Sequence, residues 1–155
     1  MRRTVSGLVT IRPADPTETE ALIAIWRDAA RRAHPFLPGE GRGARAHTAR
    51  TALFPKAETA VAEADGQALG FLSLIDRTPE RAEIAKLYIR PSDQGRGLGR
   101  QLVAWAAGRA DTLSCKVYLR NATGLGFWQH LGFSETGRAI DGTTAEVVAI
   151  LERQG

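Results

Sequence analysis

A glycine-rich turn between a strand and a helix constrains this chain more than any other feature of its sequence. Residues 87–100 have the sequence LYIRPSDQGRGLGR, in which an apolar run ends at a proline and three glycines precede the next apolar stretch. Such a turn directs free backbone N–H groups and the positive end of the helix dipole toward one point. Arg96 and Arg100 add full positive charges, so the turn suits a phosphate or a pyrophosphate.

Two common phosphate-binding loops do not fit this turn. A P-loop requires Lys and then Ser or Thr after its last glycine, whereas Gly99 is followed by Arg100 and Gln101. A dinucleotide fingerprint requires glycines at its first, third and sixth positions, and the sixth position counted from Gly95 is Arg100. A third pattern, Gln/Arg-x-x-Gly-x-Gly, fits residues 94–99 without a mismatch.

Hydrophobic periodicity places the turn within an alternation of strands and helices. Asp15 and the proline after it predict the start of a first helix, residues 34–50 predict a loop and a short weak helix, and further helices begin near residues 98 and 123. Strands are predicted at residues 8–12, 59–64, 67–76, 83–89, 114–119, 134–140 and 144–151. This order predicts an α+β, three-layer design, a mixed sheet with helices on its faces.

Length and composition limit the classes of protein to consider. The 155 residues, 43% hydrophobic and 25% charged, suit one globular domain spanning residues 1–155. The apolar runs are too short to cross a bilayer, and residues 4–11 favour a first strand over a signal peptide, so we expect a cytoplasmic protein. The single cysteine, Cys115, agrees with a reducing compartment, and three scattered histidines predict no metal site.

The net charge of +4 is concentrated in the first third of the chain, where residues 1–50 hold nine arginines and five acidic residues. A basic surface can attract a phosphate-rich ligand or nucleic acid. A solvated, arginine-rich surface is the simpler interpretation. The chain has no zinc-finger pattern, no run of five basic residues and no interleaving of aromatic and basic residues. Neither nucleic acid nor membrane is therefore an expected partner.

The turn and its neighbours resemble the GCN5-related N-acetyltransferase (GNAT) family. Residues 94–99 match the family's pyrophosphate loop, with a strand before it and an amphipathic helix after it. About twenty residues later a strand ends at Asn121, and residues 127–133, FWQHLGF, are similar to the family's Phe-Tyr-x-x-Leu-Gly-Phe segment. Trp26 and residues 34–37, HPFL, are similar to small bacterial members of uncharacterised substrate. The resemblance covers almost the whole chain.

This resemblance implies a fold and an activity. The fold would be a mixed, mostly antiparallel central sheet of six to seven strands with helices on both faces. The activity would be direct transfer of the acetyl group from acetyl-CoA, the co-substrate, to an amine of a small molecule or a peptide, without a metal, by a monomer or homodimer. A non-catalytic acyl-CoA-binding or regulatory module of the same fold is the alternative. The acceptor itself stays open.

The resemblance also implies which residues hold acetyl-CoA. The backbone of Leu87 and Ile89 would pair with the pantetheine arm in a gap between two parallel strands. Asn121 would hydrogen-bond the pantetheine or cap the helix that follows it, and Phe127 would pack beside the arm. The pyrophosphate would be held by the loop residues Gln94, Gly95, Arg96, Gly97, Gly99 and Arg100.

Glu83 is the best candidate for the base that takes the proton of the amine, and His34 is a second candidate catalytic residue. Glu83 lies eleven residues before Gln94, the spacing of the catalytic glutamate in histone-acetyltransferase-like members, and burial in an apolar strand would raise its pKa. It could instead face water or pair with Arg81 or Lys86. His34 could line the acceptor pocket and relay the proton of the amine, or it could be an exposed loop residue.

Trp128 departs from the family pattern. It stands at the cofactor-contacting position where the family usually has the tyrosine that protonates the leaving thiolate. An indole N–H can donate a hydrogen bond but is not a useful acid. Water or another group, such as Tyr88 or Tyr118, would supply that proton, or the CoA thiolate would leave without the help of a strong acid. The departure weakens the expected mechanism more than it weakens the expected cofactor binding.

Overall fold

A seven-stranded sheet forms the centre of the computed structural model, which describes residues 7–154. The strands are β1 (Thr10–Pro13), β2 (Glu58–Ala64), β3 (Gln67–Ile75), β4 (Arg81–Ile89), β5 (Thr112–Tyr118), β6 (Ser134–Ile140) and β7 (Val147–Gln154). They lie in the order β1-β2-β3-β4-β5-β7-β6. Among these strands β4 and β5 form the one parallel pair, and the other neighbours are antiparallel. The mixed, mostly antiparallel sheet of an α+β fold is confirmed.

Helices cover both faces of the sheet, which gives the three expected layers. The helices are α1 (Thr19–Ala33), α2 (Gly43–Thr48), α3 (Leu98–Ala107) and α4 (Ala122–His130). On one face, Trp26 of α1 packs with Val61 and Phe71 of the sheet. On the other, Leu102 of α3 and Trp128 of α4 belong to one buried cluster. No helix in the described part of the chain has both the length and the hydropathy that a bilayer crossing needs.

One helix start and one hairpin turn form as their residue types predict. The side chain of Asp15 accepts a hydrogen bond from the backbone N–H of Thr17, and Glu18 accepts one from the backbone N–H of Asp15, each at 2.8 Å. This capping box starts a short 3-10 helix, Pro16–Glu18, that leads into α1. Asp65 and Gly66 have φ values of 52° and 74°, as a type I′ hairpin turn between β2 and β3 requires.

Most predicted strand boundaries differ from the structure by one to three residues, and two of these differences have a clear local cause. β1 begins at Thr10 instead of Leu8, whose side chain is 87% exposed and has no core to join. Residues 4–6 of the predicted first strand lie outside the described residues. β7 begins at Val147 instead of residue 144, because the Asp141 side chain accepts hydrogen bonds from the backbone and hydroxyl of Thr144 and lengthens the turn.

Candidate active site

The two parallel strands at the centre of the sheet separate halfway along their length. β4 and β5 pair only from Arg81 with Thr112 to Ile84 with Cys115, although β4 continues to Ile89. Beyond Ile84 the edge of β4 that faces β5 has no neighbouring strand among the described residues. The structure therefore has the gap that the resemblance implied, with an edge that an extended ligand can join.

A β-bulge at the start of this gap sets which side chains face each helix layer. Leu74 of β3 pairs with Ile84, and the preceding Ser73 pairs with Lys86, so Ala85 is the extra residue. The bulge reverses the alternation along β4. Leu87 therefore packs against the same cluster as Ile84 on the α3 face, as does Ile89, while Tyr88 packs against the α1 cluster.

The glycine-rich loop ends β4 and begins α3. Gly95 and Gly97 have φ values of 81° and 78°, a left-handed conformation that glycine adopts without strain. A Cβ atom at either glycine would meet nothing within 4 Å, so the space beside the backbone is open. The side chain of Arg100 is exposed on the first turn of α3, and it lines a shallow cleft with His130 and Arg153. The loop thus presents an open helix N-terminus with cationic groups nearby.

Side-chain hydrogen bonds fix the shape of the loop. Burial of the Asp93 carboxylate would raise its pKa, but hydrogen bonds from Arg90 (2.5 Å) and Arg96 (2.9 Å) keep that pKa below its usual value. The side-chain amide of Gln94 donates to the carbonyl oxygen of Ile89 at 3.1 Å. Gln94 and Arg96 therefore stabilise the loop from within.

The start of α4 lies beside the same loop. Asn121 caps the helix, because its Oδ1 atom accepts a hydrogen bond from the backbone N–H of Gly124 at 2.9 Å. The ring of Phe127 approaches the loop so closely that a Cβ atom at Gly99 would lie 3.0 Å from its Cζ atom. Phe127 thus lies beside the start of α3, and the capping interpretation of Asn121 is confirmed.

His34 is buried, so the interpretation as an exposed loop residue is wrong. Its side chain is 8% exposed, and its Nδ1 atom lies 2.8 Å from Oε2 of Glu40. Its Nε2 atom lies 3.0 Å from Nδ2 of Asn121, which joins the end of α1 to the start of α4. The rings of Tyr118 and Phe36 lie 5.0 Å and 5.7 Å from the imidazole, measured between ring centres.

Glu83 lies in the paired part of β4, before the gap opens. It is opposite Ser114 of β5 and is only partly buried, less than its apolar strand suggested. The pairings proposed for it are not formed, because Arg81 pairs with Glu152 at 3.2 Å and Lys86 lies over the Trp26 ring.

The comparisons with known proteins agree with this geometry. Residues 55–135 match the family model described as an acetyltransferase (GNAT) domain. The chain is also 34% identical over 134 residues to the peptidyl-lysine N-acetyltransferase YjaB of Escherichia coli, with 85% of this chain and 86% of the relative covered. The chain belongs to the GNAT family. This GNAT protein is therefore an acetyltransferase, as the resemblance implied.

Solved GNAT structures share its fold. The solution structure of apo-form YjaB from Escherichia coli matches with a TM-score of 0.79 and 30% identity, covering 94% of this chain and 97% of that one. YncA from Salmonella typhimurium, solved with its cofactor acetyl-CoA, matches with a TM-score of 0.69 and 22% identity, covering 95% and 94% of the two chains.

Trp128 has a packing role in this GNAT protein. Its side chain is 8% exposed, and its ring meets Phe127 and Phe133 edge-on at 5.1 Å and 5.0 Å between centres. The tyrosine position of the family pattern is thus occupied by a residue of the core. Of the two tyrosines considered as substitutes, Tyr88 is enclosed by Trp26 and Phe71, whereas Tyr118 stands beside His34.

Several ionisable groups lie close to the pair formed by His34 and Glu40. Burial lowers the pKa of Lys86 to about 8, although the charge of Glu40 raises it. Arg45 lies 3.5 Å from the second oxygen of Glu40. Burial raises the pKa of Tyr118 above its usual value. Among the described residues no group of histidine, cysteine, aspartate and glutamate could hold a metal ion.

Proposed function

We propose that this GNAT protein transfers the acetyl group of acetyl-CoA to the ε-amino group of a lysine in a peptide or protein. The choice of a lysine acceptor rests on one observation, the 34% identity of this chain with a peptidyl-lysine N-acetyltransferase over 85% of its length. The relatives compared are acetyltransferases by name, which favours an enzyme over a non-catalytic acyl-CoA-binding module.

Acetyl-CoA is the acetyl donor, and the residues present fit it. The free edge of β4 offers the backbone of Leu87 and Ile89 to the amides of the pantetheine arm. The N–H groups that open α3 suit the pyrophosphate, since Gly95 and Gly97 leave the approach to the backbone open. Asn121 and Phe127 stand on the α4 side of the same opening.

His34 is the better placed of the two candidate proton acceptors. Counted along the neighbouring strands, Tyr118 lies three residues, roughly 10 Å, beyond the last β4–β5 pair, and Leu87 lies two residues, roughly 7 Å, beyond it because of the bulge at Ala85, so both lie in the open part of the gap. His34 packs against Tyr118 in this part of the gap. Glu83 pairs with Ser114, four residues before Tyr118 and roughly 13 Å away, so it would act only through water.

Replacement of Glu83 tests whether its carboxylate takes the proton of the amine directly or acts only through water. We expect Glu83→Gln to lower kcat less than about tenfold and to leave the affinity for acetyl-CoA unchanged, because a direct base contributes about 100-fold or more. Steady-state kinetics with a lysine peptide give kcat, and titration with CoA gives the affinity. A loss above about 100-fold with intact CoA binding would make Glu83 the direct base.

The acceptor is tested with a mixture of lysine-containing peptides and free amines. Incubation with acetyl-CoA, followed by mass spectrometry, should show acetyl groups on lysine side chains and the release of one CoA thiol for each. Parallel reactions contain spermidine, amino acids and an aminoglycoside. Acetylation of these small amines alone would refute the lysine acceptor but retain the acetyltransferase.

We further propose that this is a bacterial, cytoplasmic enzyme with one acetyltransferase domain over residues 1–155. The relative and the solved structures compared above are bacterial. The single cysteine, Cys115, is buried, and its pKa is raised to about 12 by burial and by the charge of Glu83. An unreactive lone thiol agrees with a reducing compartment.

A further inference from the structure

A buried chain of hydrogen bonds links Glu40, His34 and Asn121. The carboxylate of Glu40 lies 2.8 Å from Nδ1 of His34, and Nε2 of the same ring lies 3.0 Å from the amide nitrogen of Asn121. The side chains of Glu40 and His34 are 4% and 8% exposed. Burial of a carboxylate and an imidazole costs free energy unless their polar atoms are paired, so this arrangement restricts the orientation of each group.

The hydrogen bonds determine which nitrogen of His34 carries the proton. Oδ1 of Asn121 accepts from the backbone N–H of Gly124, which places the amide N–H₂ group toward His34. An amide nitrogen only donates, so Nε2 of His34 must accept. The ring proton is therefore on Nδ1 and is donated to Glu40. His34 thus presents a basic lone pair at Nε2 with a carboxylate behind it, as in the histidine–carboxylate pair of serine proteases.

The backbone is shaped to bring Glu40 to this position. Gly41 has a φ of 73°, and a Cβ atom there would lie 2.6 Å from Cβ and 2.7 Å from Cα of Arg27 in α1. Only glycine allows the loop to approach α1 this closely. Arg45 engages the second oxygen of Glu40 at 3.5 Å, so both oxygens of the carboxylate have partners.

Glycine also makes room for the amide at the other end of the chain. A Cβ atom at Gly124 would collide with the Nδ2 atom of Asn121. The rings of Tyr118 and Phe36 hold the imidazole from its sides. The positions of both hydrogen-bond partners of His34 thus depend on glycines, Gly41 and Gly124, that allow close contacts. A histidine on the surface would not require them.

We propose that Glu40 is the positioning residue that makes His34 the base of the reaction, and that Asn121 occupies Nε2 of His34 until the acceptor amine replaces it. The proposal rests on the acetyl transfer proposed above. The amine donates its N–H to Nε2 in place of the Asn121 amide. As the new N–C bond forms, this proton moves to Nε2, the C–S bond breaks and the thiolate leaves. Glu40 stabilises the imidazolium, which then gives its proton to the thiolate or to water.

The pH dependence of kcat distinguishes this role from a structural one. Activity rises with pH as the base loses its proton. Glu40→Gln removes a negative charge that stabilises the imidazolium, so the acid limb of the profile should move to lower pH. Asn121→Asp keeps the helix cap but adds a negative charge at Nε2, so the same limb should move to higher pH. Opposite shifts are not expected from a loss of packing.

The charged and titratable groups that face Glu40 must be considered in the same profile. They are Arg45, Lys86, Tyr88 and Tyr118, and the charge of Glu40 acts on the last three. Of these, Lys86 has a pKa of about 8 and changes its charge within the range of the assay. A Lys86→Met background removes that titration, and both substitutions are compared within it.

The experiment combines kinetics with nitrogen NMR. We expect kcat to fall about 100-fold in His34→Gln and at least tenfold in Glu40→Gln, with KM for acetyl-CoA within about twofold. Glu135→Gln, a surface carboxylate on β6, is the matched control and should leave kcat unchanged. In the unmodified protein labelled with ¹⁵N-histidine, His34 should show a protonated Nδ1 and an unprotonated Nε2, and this measurement needs no variant to fold.

Each outcome decides one question. An Nε2-protonated tautomer, full kcat in His34→Gln, or an acid limb that neither substitution moves would overturn the inference. The expected tautomer in a protein that binds acetyl-CoA but acetylates no amine would instead contradict the proposed function. The opposite pH shifts together with the expected tautomer would establish the pair.

Discussion

Lys86 is a cation held in an unusually apolar environment. Its Nζ atom lies 3.6 Å from the centre of the Trp26 ring, and burial lowers its pKa from 10.5 to about 8. The attraction of the aromatic face and the charge of Glu40 offset part of the cost of burial. At neutral pH the ammonium is therefore less stable in the folded protein than in water.

Substitution of Lys86 should change both stability and its pH dependence. Because the pKa is lower in the folded state, the unfolded chain binds more protons between about pH 8 and 10.5, so the free energy of unfolding rises with pH there. We expect Lys86→Met to remove this rise and to stabilise the protein at pH 7 by on the order of 1–3 kcal/mol.

Urea unfolding at pH 7 and pH 9.5 measures both effects. Lys116→Met is the control, since Lys116 is an exposed lysine on β5. The same pH slope in Lys86→Met and in the unmodified protein would show that Lys86 is not the group responsible.

The sequence predicted the conformation or the contacts of some residues but not of others. Gly95 and Gly97 were predictable, because a local motif requires both their conformation and their place before a helix. His34 was found through the resemblance, but Glu40 was not, because their pairing depends on the close approach of Gly41 to α1. Lys86 was considered only as a partner for Glu83, because no pattern in the sequence reports the bulge at Ala85 that turns it toward Trp26.

At the scale of elements, the loop and α3 act as one unit. Asp93 is hydrogen-bonded to Arg90 and Arg96, and Gln94 is bonded to the end of β4, so the N-terminus of α3 is held in place before any ligand arrives. Preorganised N–H donors bind an anion without the entropic cost of ordering a loop. The affinity for CoA should therefore depend on open space beside the loop glycines.

Gly97→Glu tests this dependence. The side chain would fill the open space and place a negative charge where the pyrophosphate binds, so we expect CoA affinity to fall at least about 100-fold. Calorimetric titration with CoA measures the affinity, and circular dichroism verifies the fold. Gly66→Glu, in the β2–β3 turn, is the matched control, because Gly66 also has a left-handed φ of 74° and nothing within 4 Å of its Cβ position. Unchanged CoA binding by a folded Gly97→Glu variant would show that the loop is not the pyrophosphate site.

Element types were more predictable than their ends. The capping box of Asp15 and Glu18 and the turn at Asp65 and Gly66 use local hydrogen bonds and backbone preferences, which short sequences contain. In the β6–β7 turn, the side chain of Asp141 accepts a hydrogen bond from the backbone N–H of Thr144, three residues ahead. A two-residue turn pattern does not include such a bond.

At the scale of the whole molecule, the separation of β4 from β5 organises the enzyme. The loop at the start of α3 lies at the mouth of the gap, Asn121 and Phe127 lie on its α4 side, and His34 packs against Tyr118 beyond the last β4–β5 pair. The strand order follows from periodicity and from the family resemblance. The point of separation does not, because no local pattern specifies where two strands stop pairing.

Calorimetric titration of the purified protein with acetyl-CoA, with CoA and NAD as comparisons, tests whether the gap and the loop bind acetyl-CoA. We predict micromolar binding of acetyl-CoA and of CoA, with one site per chain and no heat from NAD. A folded protein that binds neither acetyl-CoA nor CoA would contradict the assignment of the gap and loop as the acetyl-CoA site.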